Sequence, residues 1–518
     1  MGRRFRVLRP PPLVSLGAIL AVVLAFAWPM QGRSLGELSN YALVKSLATG
    51  TATIDQTRLE VGDLAAGDFR TFRGHVYSDK APGLALATVP AYLTLRAAGV
   101  RTSGDPTRAL WALRLWSVVV PALLVLLITR SLAERISPGF GTATAVALGA
   151  GTLILPFTTS FYSHVLSAFL LLTSFALLWK EREGPPRLGL VAAAGIAAGF
   201  AMTTEYQTAL ALGVFAVYAI LRTPRLARAA AYGAGVIVGV IPLLAYNWWA
   251  FGSVTHLSYF GDELASGTFA SRLSPSLVSG LFTFFAMPGL LVLAPVLACG
   301  IVGLVLLFAE RKRAEALVIA LVVAAFTIYN TTLPGLEYDA FLAGPRYLVP
   351  IIPLLVLPTA LTFRRWPLTT AALALVSIIL IGVMTASYVP AGTDPRWFHA
   401  LAERNFPSTA ASLVGVTGWY AILPYFLGLA CAVVLAGVAA GSTRPSTWDQ
   451  FLAGLAVIAW AAIAAYAPTT SSGEATSYSA YIPAALVLTG LATIAVARFL
   501  AERSLRHEAE GVQRGRQA

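Results

Sequence analysis

The chain has 518 residues, of which 57% are hydrophobic and 12% charged, and its mean hydropathy is +0.73. Soluble domains are about 25% charged, so this composition excludes a soluble enzyme, a disordered chain and a nucleic-acid-binding domain. At about 20 residues per span, the length accommodates roughly a dozen transmembrane helices. The formal net charge is +13, but the basic residues gather in short loops, as the positive-inside rule expects of cytoplasmic loops.

A basic N-terminus followed by the apolar run 13–28 predicts a first spanning helix rather than a cleaved signal peptide, because no small-residue cleavage site follows. The segment 82–99 contains Pro82, Gly83 and Pro90. If it crossed the membrane, every later basic loop would be external, so we expect it to be interfacial or re-entrant. The other apolar runs are 109–129, 139–157, 161–179, 188–204, 206–221, 230–249, 287–308, 315–333, 346–363, 367–387, 418–440, 451–467 and 481–498.

These runs predict an all-α polytopic membrane protein with about 14 transmembrane helices and both termini in the cytoplasm. The first external loop adds interfacial or re-entrant helices. Most acidic, histidine and tyrosine residues fall in the external loops, so chemistry is expected on the extracytoplasmic side of the cell membrane.

The first external loop has two parts. Residues 41–47 have helical spacing and predict a short amphipathic helix on the membrane surface. The remainder is acidic, and a solvated loop is the ordinary interpretation of Asp63 and Asp68. The sequence Tyr-Ser-Asp-Lys-Ala-Pro-Gly at 77–83 is different, because it places Asp79 and Lys80 directly before the re-entrant segment. A charged pair held at a membrane interface is costly and usually marks function.

Further polar residues stand at the predicted external helix ends. Arg346 opens a span on the external side, against the positive-inside trend, and either faces an anion such as a phosphate or pairs with Glu337 or Asp339. Arg114 is the one deep charge, and could touch a lipid phosphate. The candidate substrate-binding residues are His75, Tyr77, His164, Glu205, Tyr206 and Asn247.

Motifs for nucleotide-driven pumping and for the common hydrolases are missing from the sequence. A nucleotide-sugar donor does not suit an external site, because nucleotides are supplied in the cytosol. A lipid-linked donor fits better. Aromatic residues of the external loops, Trp248, Tyr259, Trp397 and Phe398, would suit stacking on a sugar ring.

Several of these segments resemble the GT-C glycosyltransferases, above all the bacterial protein-mannosyltransferase-like branch that includes the aminoarabinose lipid A transferases. The segment 77–83 is similar to the family's Tyr-x-[Glu/Asp]-Lys-x-Pro sequence, and ELSNYALVKSLATG at 37–50 to its helix after the first span. Gly-Pro-Arg-Tyr-Leu at 344–348 and Asn247 with Phe251-Gly252 are similar to two further segments.

The resemblance implies an integral-membrane, inverting glycosyltransferase that moves a sugar from a polyprenyl-phosphate donor to an extracytoplasmic glycan, glycolipid or protein. Glu37 would be the first-loop acid, although its neighbour is Leu38 where the family often has a second acid. Asp55 and Asp79 are the alternative catalytic carboxylates. Lys80, Arg346 and Tyr347 would bind the donor phosphate. A divalent metal is possible, but the sequence shows no clear ligand set.

The implied organisation has four parts. Residues 1–30 form the cytoplasmic N-terminus and first span, 31–108 the external first loop, 109–387 the transmembrane catalytic core, and 388–518 the C-terminal helices and cytoplasmic tail. The membrane lipids and the lipid-linked donor are the expected partners, with no nucleic acid. The main alternative is a transporter or flippase, although transporters place charges near mid-membrane and are commonly built as repeats.

Overall fold

The computed structural model describes residues 12–31, 34–61, 68–100, 107–261, 289–332, 344–387, 397–441, 443 and 445–466. The first helices are α1 (Pro12–Ala27), α2 (Leu35–Ala48), α3 (Thr57–Val61), α4 (Gly83–Ala97), α5 (Thr107–Arg114) and α6 (Val120–Ile136). They are followed by α7 (Gly141–Ala150), α8 (Ile154–Thr158), α9 (His164–Glu183), α10 (Leu188–Thr204), α11 (Ala209–Ile220) and α12 (Arg225–Phe251).

Later helices cover Leu290–Leu293, Val296–Ala309, Arg313–Thr332, Ile352–Val356, Thr359–Arg365, Pro367–Ala386, Trp397–Ala402, Gly418–Ala439 and Thr447–Tyr466. A π-helical turn at Leu115–Val119 joins α5 to α6, and 3₁₀ turns occur at Tyr206–Thr208, Arg346–Ile351 and Ala410–Val414. Two short antiparallel ribbons complete the described part: β1 (Pro29–Met30) with β4 (Ser408–Thr409), and β2 (Phe69–Phe72) with β3 (His75–Ser78).

The molecule is a polytopic membrane protein. Among the described residues, 7 helices are long and apolar enough to cross a membrane, or 8 if a pair bent by 50° at 356–359 is one span. Further apolar helices of 10–17 residues accompany them. The predicted number of 14 spans therefore stays a prediction.

Several predicted spans are broken helices. The run 139–157 divides into α7 and α8 at Gly151 and Thr152. The run 346–363 begins as a 3₁₀ turn and bends again before Thr359. Pro358 lies directly before Thr359, at this bend, and Pro353 lies in the short helix before it. Proline donates no backbone hydrogen bond and its ring obstructs the preceding turn, so an apolar run containing it bends more readily.

The first loop is more deeply buried than its sequence predicts. α2 starts at Leu35 rather than near Tyr41, and its central residues Tyr41, Ala42, Leu43 and Val44 are all fully buried. α4 packs against α2 and is not among the helices long and apolar enough to span. α2 therefore belongs to the packed core of the protein and is not a helix lying open on the membrane surface, whereas α4 is buried on one face only.

Two pairs of glycines allow α10 and α12 to pack at backbone distance. An added Cβ at Gly195 would lie 2.2 Å from the Tyr232 carbonyl oxygen, and one at Gly239 would lie 2.4 Å from that of Ile196. Gly199 and Gly235 are equally close to the facing backbone. Such small-xxx-small pairs let membrane helices approach through van der Waals contact. The close packing positions the last turn of α10, and Glu205 is the residue directly after that turn.

One end of the bundle is basic. There Arg228 pairs with the fully buried Glu181, Arg135 lies 3.2 Å from Glu183, and Arg182 lies 3.7 Å from Glu315. These pairs join the ends of α6, α9, α12 and the helix Arg313–Thr332. We call this the basic end. The opposite end, which carries α2, the β2–β3 hairpin and residues 205–208 and 344–347, is called the site end.

Candidate active site

The first turn of α2 uses Glu37 as a structural cap. Its carboxylate accepts hydrogen bonds from the Ser34 backbone N–H and hydroxyl, both at 3.1 Å, and from the Phe161 N–H at 2.6 Å. Ser34 in turn accepts from the Glu37 N–H, which completes a capping box. Glu37 is only 5% exposed. Both of its oxygens are therefore engaged in holding α2 against the segment that leads to α9.

The β2–β3 hairpin delivers Asp79 and Lys80 to the site end. The register pairs Phe69 with Ser78, so the strand ends one residue before Asp79. The Lys80 ammonium lies 3.0 Å from Asp79 Oδ1 and 3.6 Å from Asp68 Oδ1. Its side chain is 22% exposed and that of Asp79 is 9% exposed. The result is a cation that is held by two carboxylates yet still reachable.

Gly83 sets the position of this segment against the bundle. A Cβ at Gly83 would lie 2.6 Å from the Thr203 carbonyl oxygen at the end of α10. Thr203 itself donates from its hydroxyl to the Gly239 carbonyl at 3.0 Å. Only glycine allows the start of α4 to lie on the α10–α12 pair this closely. Lys80 and Glu205 are thereby brought to the same end of the bundle.

Ser258 joins Lys80 to Tyr206. Its hydroxyl donates to the Lys80 carbonyl at 2.9 Å and shares a hydrogen bond of 2.9 Å with the Tyr206 hydroxyl. The Tyr206 ring meets Tyr259 edge to face at 5.1 Å. Asp79 interacts electrostatically with Tyr206, so the turn at 205–208 and the loop after α12 enclose the Asp79–Lys80 pair.

His164 and Glu205 form a buried pair. His164 Nδ1 lies 2.5 Å from Glu205 Oε1, and the two side chains are 6% and 5% exposed. Ser163 donates to the same oxygen at 2.9 Å, and Gln207 donates to the other. The imidazole stacks on Tyr162 at 5.6 Å and meets the edge of Tyr347 at 6.1 Å. The imidazole is therefore held between the Glu205 carboxylate and two tyrosine rings.

The segment 344–348 brings Arg346 to the same place. Gly344 has φ +109°, a conformation that favours glycine, and it lies against Leu153. The Arg346 guanidinium lies 5.3 Å from the Tyr347 ring centroid and is close enough to Lys80 to interact with its charge. Arg346, Tyr347, Asp79, Lys80, His164, Glu205 and Tyr206 thus belong to one cluster. The proposed partners Glu337 and Asp339, like Asp63, Asp262 and Glu263, lie outside the described residues.

Charge dominates this cluster. Burial and the positive charge of Arg346 both act to lower the pKa of Lys80. The carboxylates of Asp79 and Asp68 outweigh these two effects, so the pKa of Lys80 is raised. Lys80 therefore stays an ammonium ion throughout the neutral range. Lys80 and Arg346 both donate charge-assisted hydrogen bonds, which suit an anionic group such as a phosphate.

The other predicted residues lie apart from this cluster or serve the scaffold. Asp55 pairs with His75 at 2.8 Å and accepts the Val76 N–H at 2.7 Å. Burial would raise the pKa of Asp55, but these hydrogen bonds lower it overall. Tyr77 donates to the Ala250 carbonyl at 3.0 Å, and buried Asn247 donates to Val254 at 3.1 Å. Both tie the hairpin and the following loop to the end of α12.

Arg114 is a structural residue rather than a group open to a lipid headgroup. It is 2% exposed and donates to the carbonyls of Phe26 and Thr158 at 2.9 Å and of Pro29 at 2.7 Å. These carbonyls lie at or beside helix C-termini, where backbone acceptors have no partner within the helix. Among the aromatic residues proposed to stack on a sugar, Tyr259 lies in the cluster, whereas Trp397 is buried and Trp248 is 64% exposed on α12.

The described residues bring no three His, Cys, Asp or Glu side chains together as metal ligands. A divalent ion held by protein alone needs several such donors. The divalent metal that the sequence leaves open therefore has no ligand set among the described residues.

Sequence reasoning missed three features of the site. Asp68, interpreted as a solvated loop residue, contacts Lys80. Ser258 and the His164–Glu205 pairing carried no sequence signal, because their partners come from distant elements. The capping role of Glu37 did have a signal: Ser34-Leu35-Gly36-Glu37 is the S-x-x-E sequence of a capping box.

No family model and no curated protein matches the chain. Among solved structures it is similar to ArnT from Cupriavidus metallidurans in the apo state, with 19% identity and a TM-score of 0.49 over 83% of this chain and 77% of that chain. The same protein bound to undecaprenyl phosphate matches with 16% identity and a TM-score of 0.48, over 94% and 78% of the two chains.

The archaeal oligosaccharyltransferase from Archaeoglobus fulgidus, in the apo form, is also similar, with 11% identity and a TM-score of 0.44. That match covers 90% of this chain and 61% of that chain.

Proposed function

We propose that the chain is an integral-membrane glycosyltransferase that transfers a sugar, with inversion, from a polyprenyl-phosphate donor to an acceptor outside the cytoplasm. The observation that carries the proposal is the arrangement of Lys80 and Arg346 beside the Asp79 carboxylate at the site end. The two cations would bind the donor phosphate, and the carboxylate would accept the proton of the acceptor hydroxyl.

The reaction is a single displacement at the anomeric carbon. The acceptor oxygen forms a bond to that carbon as the bond from carbon to the donor phosphate oxygen breaks. The electron pair leaves with the polyprenyl phosphate, whose diester becomes a monoester with more negative charge. Lys80 and Arg346 stabilise this charge in a partly buried site, where electrostatic stabilisation is stronger than in water. The one displacement inverts the configuration and needs no covalent enzyme intermediate.

The proton of the acceptor hydroxyl passes to a carboxylate, because a hydroxyl is a poor nucleophile without a base within hydrogen-bond reach. Asp79 is the best placed of the three candidates, since it touches the cation that binds phosphate. Glu37 has both oxygens occupied in the capping box and at Phe161. Asp55 is paired with His75 outside the cluster. We therefore assign the base to Asp79 and a positioning role to Glu37.

The basic end of the bundle faces the cytoplasm in this proposal, following the positive-inside rule. The site end then opens to the outer leaflet, where a lipid-linked donor is available and cytosolic nucleotide sugars are not. The partners are the polyprenyl-phosphate sugar, the surrounding lipids and an extracytoplasmic glycan, glycolipid or protein.

Sugar transfer tests the proposal directly. Membranes with wild type, Glu37→Gln, Asp79→Asn or Lys80→Ala at equal expression receive a panel of radiolabelled polyprenyl-phosphate sugars. Glu310→Gln, an ion-pair carboxylate at the basic end, is the matched control. We expect Asp79→Asn and Lys80→Ala to abolish transfer of label to a larger or water-soluble product while the control does not.

A greater loss in Glu37→Gln at unchanged thermal stability would move the base to Glu37. No transfer from any donor, with all variants equal to wild type, would refute the transferase. Translocation of the lipid-linked sugar would then be measured, as expected for a transporter or flippase.

A further inference from the structure

A cavity with a volume of about 550 Å³ lies between α2, α3 and α4. That volume lies within the range of small-molecule sites, about 300–1,000 Å³. Every residue that lines it has a polar side chain, and Tyr92 is its one aromatic residue. The lining is more polar than apolar, so the cavity suits a polar ligand better than a lipid tail.

The floor of the cavity is rigid and its rim is open. Lys45, Ser46, Thr57 and Tyr92 are at most 8% exposed. Ser46 and Thr57 share a hydrogen bond of 2.7 Å. Thr49, Thr51, Gln56, Glu60 and Arg96 are exposed at the rim. The hydrogen-bonding groups at the floor are therefore held in place, and those at the rim are accessible from solvent.

The charges of the cavity balance. Lys45 is paired with Glu60, and Asp55 is paired with His75. An anionic ligand would find no excess of positive charge here, because the cations and the carboxylates that line the cavity are equal in number. Hydroxyl, amide, carboxylate and ammonium groups together satisfy ligands that both donate and accept hydrogen bonds. A neutral polyhydroxyl compound, that is a carbohydrate, matches this lining best.

The distance from the cavity to the cluster is set by the β2–β3 hairpin. Along β3, Val76 holds Asp55 at the cavity and Asp79 lies three residues further on, about 10 Å in an extended strand. A glycan of more than one sugar could occupy both places at once.

We propose that this cavity binds the non-reacting part of a glycan acceptor, so that the acceptor is a polysaccharide or a glycolipid rather than an unglycosylated protein. The inference rests on the proposed transferase function. Binding at the cavity would hold the acceptor chain while its terminal hydroxyl reaches Asp79. Holding a reactant in place in this way lowers the entropic cost of the reaction.

The test uses the full chain in membranes of its own cells and the donor that wild type accepts. Label is followed into lipid-extractable glycolipid, polysaccharide and protein, and release of free sugar to water is measured in parallel. Thr51→Trp fills the cavity from its rim, and Gln56→Ala with Arg96→Ala removes hydrogen-bonding groups. Leu59→Trp, an exposed position on α3 outside the cavity lining, is the control.

We expect the cavity variants to raise the acceptor concentration for half-maximal rate about tenfold, the equivalent of one to two lost hydrogen bonds. Release of sugar to water should be unchanged, because the donor site is intact. Wild-type rates in the cavity variants, loss of transfer and water release together, or label found in unglycosylated protein would each overturn the inference. A wild type that neither transfers nor releases sugar would instead refute the transferase, and the cavity proposal with it.

Discussion

Replacing Lys80 with methionine tests the electrostatic account of the site most directly. Methionine keeps an unbranched side chain of similar length and removes the charge. Lys80 is 22% exposed and lies 3.0 Å from Asp79. Two unit charges 4 Å apart interact with about 4 kcal/mol at an effective dielectric constant near 20. The nearby carboxylates and water reduce this value, so we expect a loss of about 3 kcal/mol of transition-state stabilisation, a rate reduction of roughly 10²–10³-fold.

The same substitution also leaves Asp79 without its cation. Because Asp79 is only 9% exposed, an unpaired carboxylate there should cost about 1–3 kcal/mol of folding free energy. The double variant Lys80→Met with Asp79→Asn removes that orphan charge. Thermal stability should then recover while transfer stays low, which separates a catalytic loss from a folding loss.

The assay is single-turnover transfer from the radiolabelled donor, with the thermal unfolding of each purified variant measured in the same detergent. Lys80→Arg, which keeps the charge, should lose only about tenfold in rate. A Lys80→Met enzyme that keeps more than a tenth of wild-type activity would refute the assignment of Lys80 to the leaving phosphate. Recovery of activity in the double variant would refute it as well.

Three further predictions concern the scaffold and pH. Gly239→Leu should lower the melting temperature, because overpacking costs about 1–3 kcal/mol. Gly233→Leu on the same helix should not, because there is open space around Gly233. Equal effects of the two substitutions would contradict the glycine contact. Asp449 accepts from the Leu368 and Thr369 N–H groups at 2.9 and 3.1 Å, so Asp449→Ala should cost about 1–2 kcal/mol in thermal unfolding without changing the acceptor dependence of transfer. Asp55 has a pKa below its ordinary value of 3.8, so its stabilisation is present above that pH and lost below it. The difference in melting temperature between wild type and Asp55→Asn should therefore shrink as the pH falls from 6 to 3, and a constant difference would contradict the ion pair.

The sequence by itself determined the class of the protein and predicted several residues that the structure brings into one cluster. An apolar composition with few charges can only be buried in a bilayer, which made a polytopic helical membrane protein the necessary interpretation. The sequence indicated Asp79, Lys80 and Arg346 because a charge beside an apolar segment is costly. The short motifs at 77–83 and 344–348 contain these residues, together with Tyr347.

Tertiary structure alone decided which carboxylate is available. Glu37, Asp55 and Asp79 are alike as residues, yet one caps a helix, one pairs with a histidine and one touches Lys80. Local sequence does not determine such contacts, because their partners come from other elements. The His164–Glu205 pair and the contact of Asp68 with Lys80 have the same origin. Glycines let α4, α10 and α12 pack at backbone distance, and this packing brings the start of α4 and the end of α10 to the same end of the bundle.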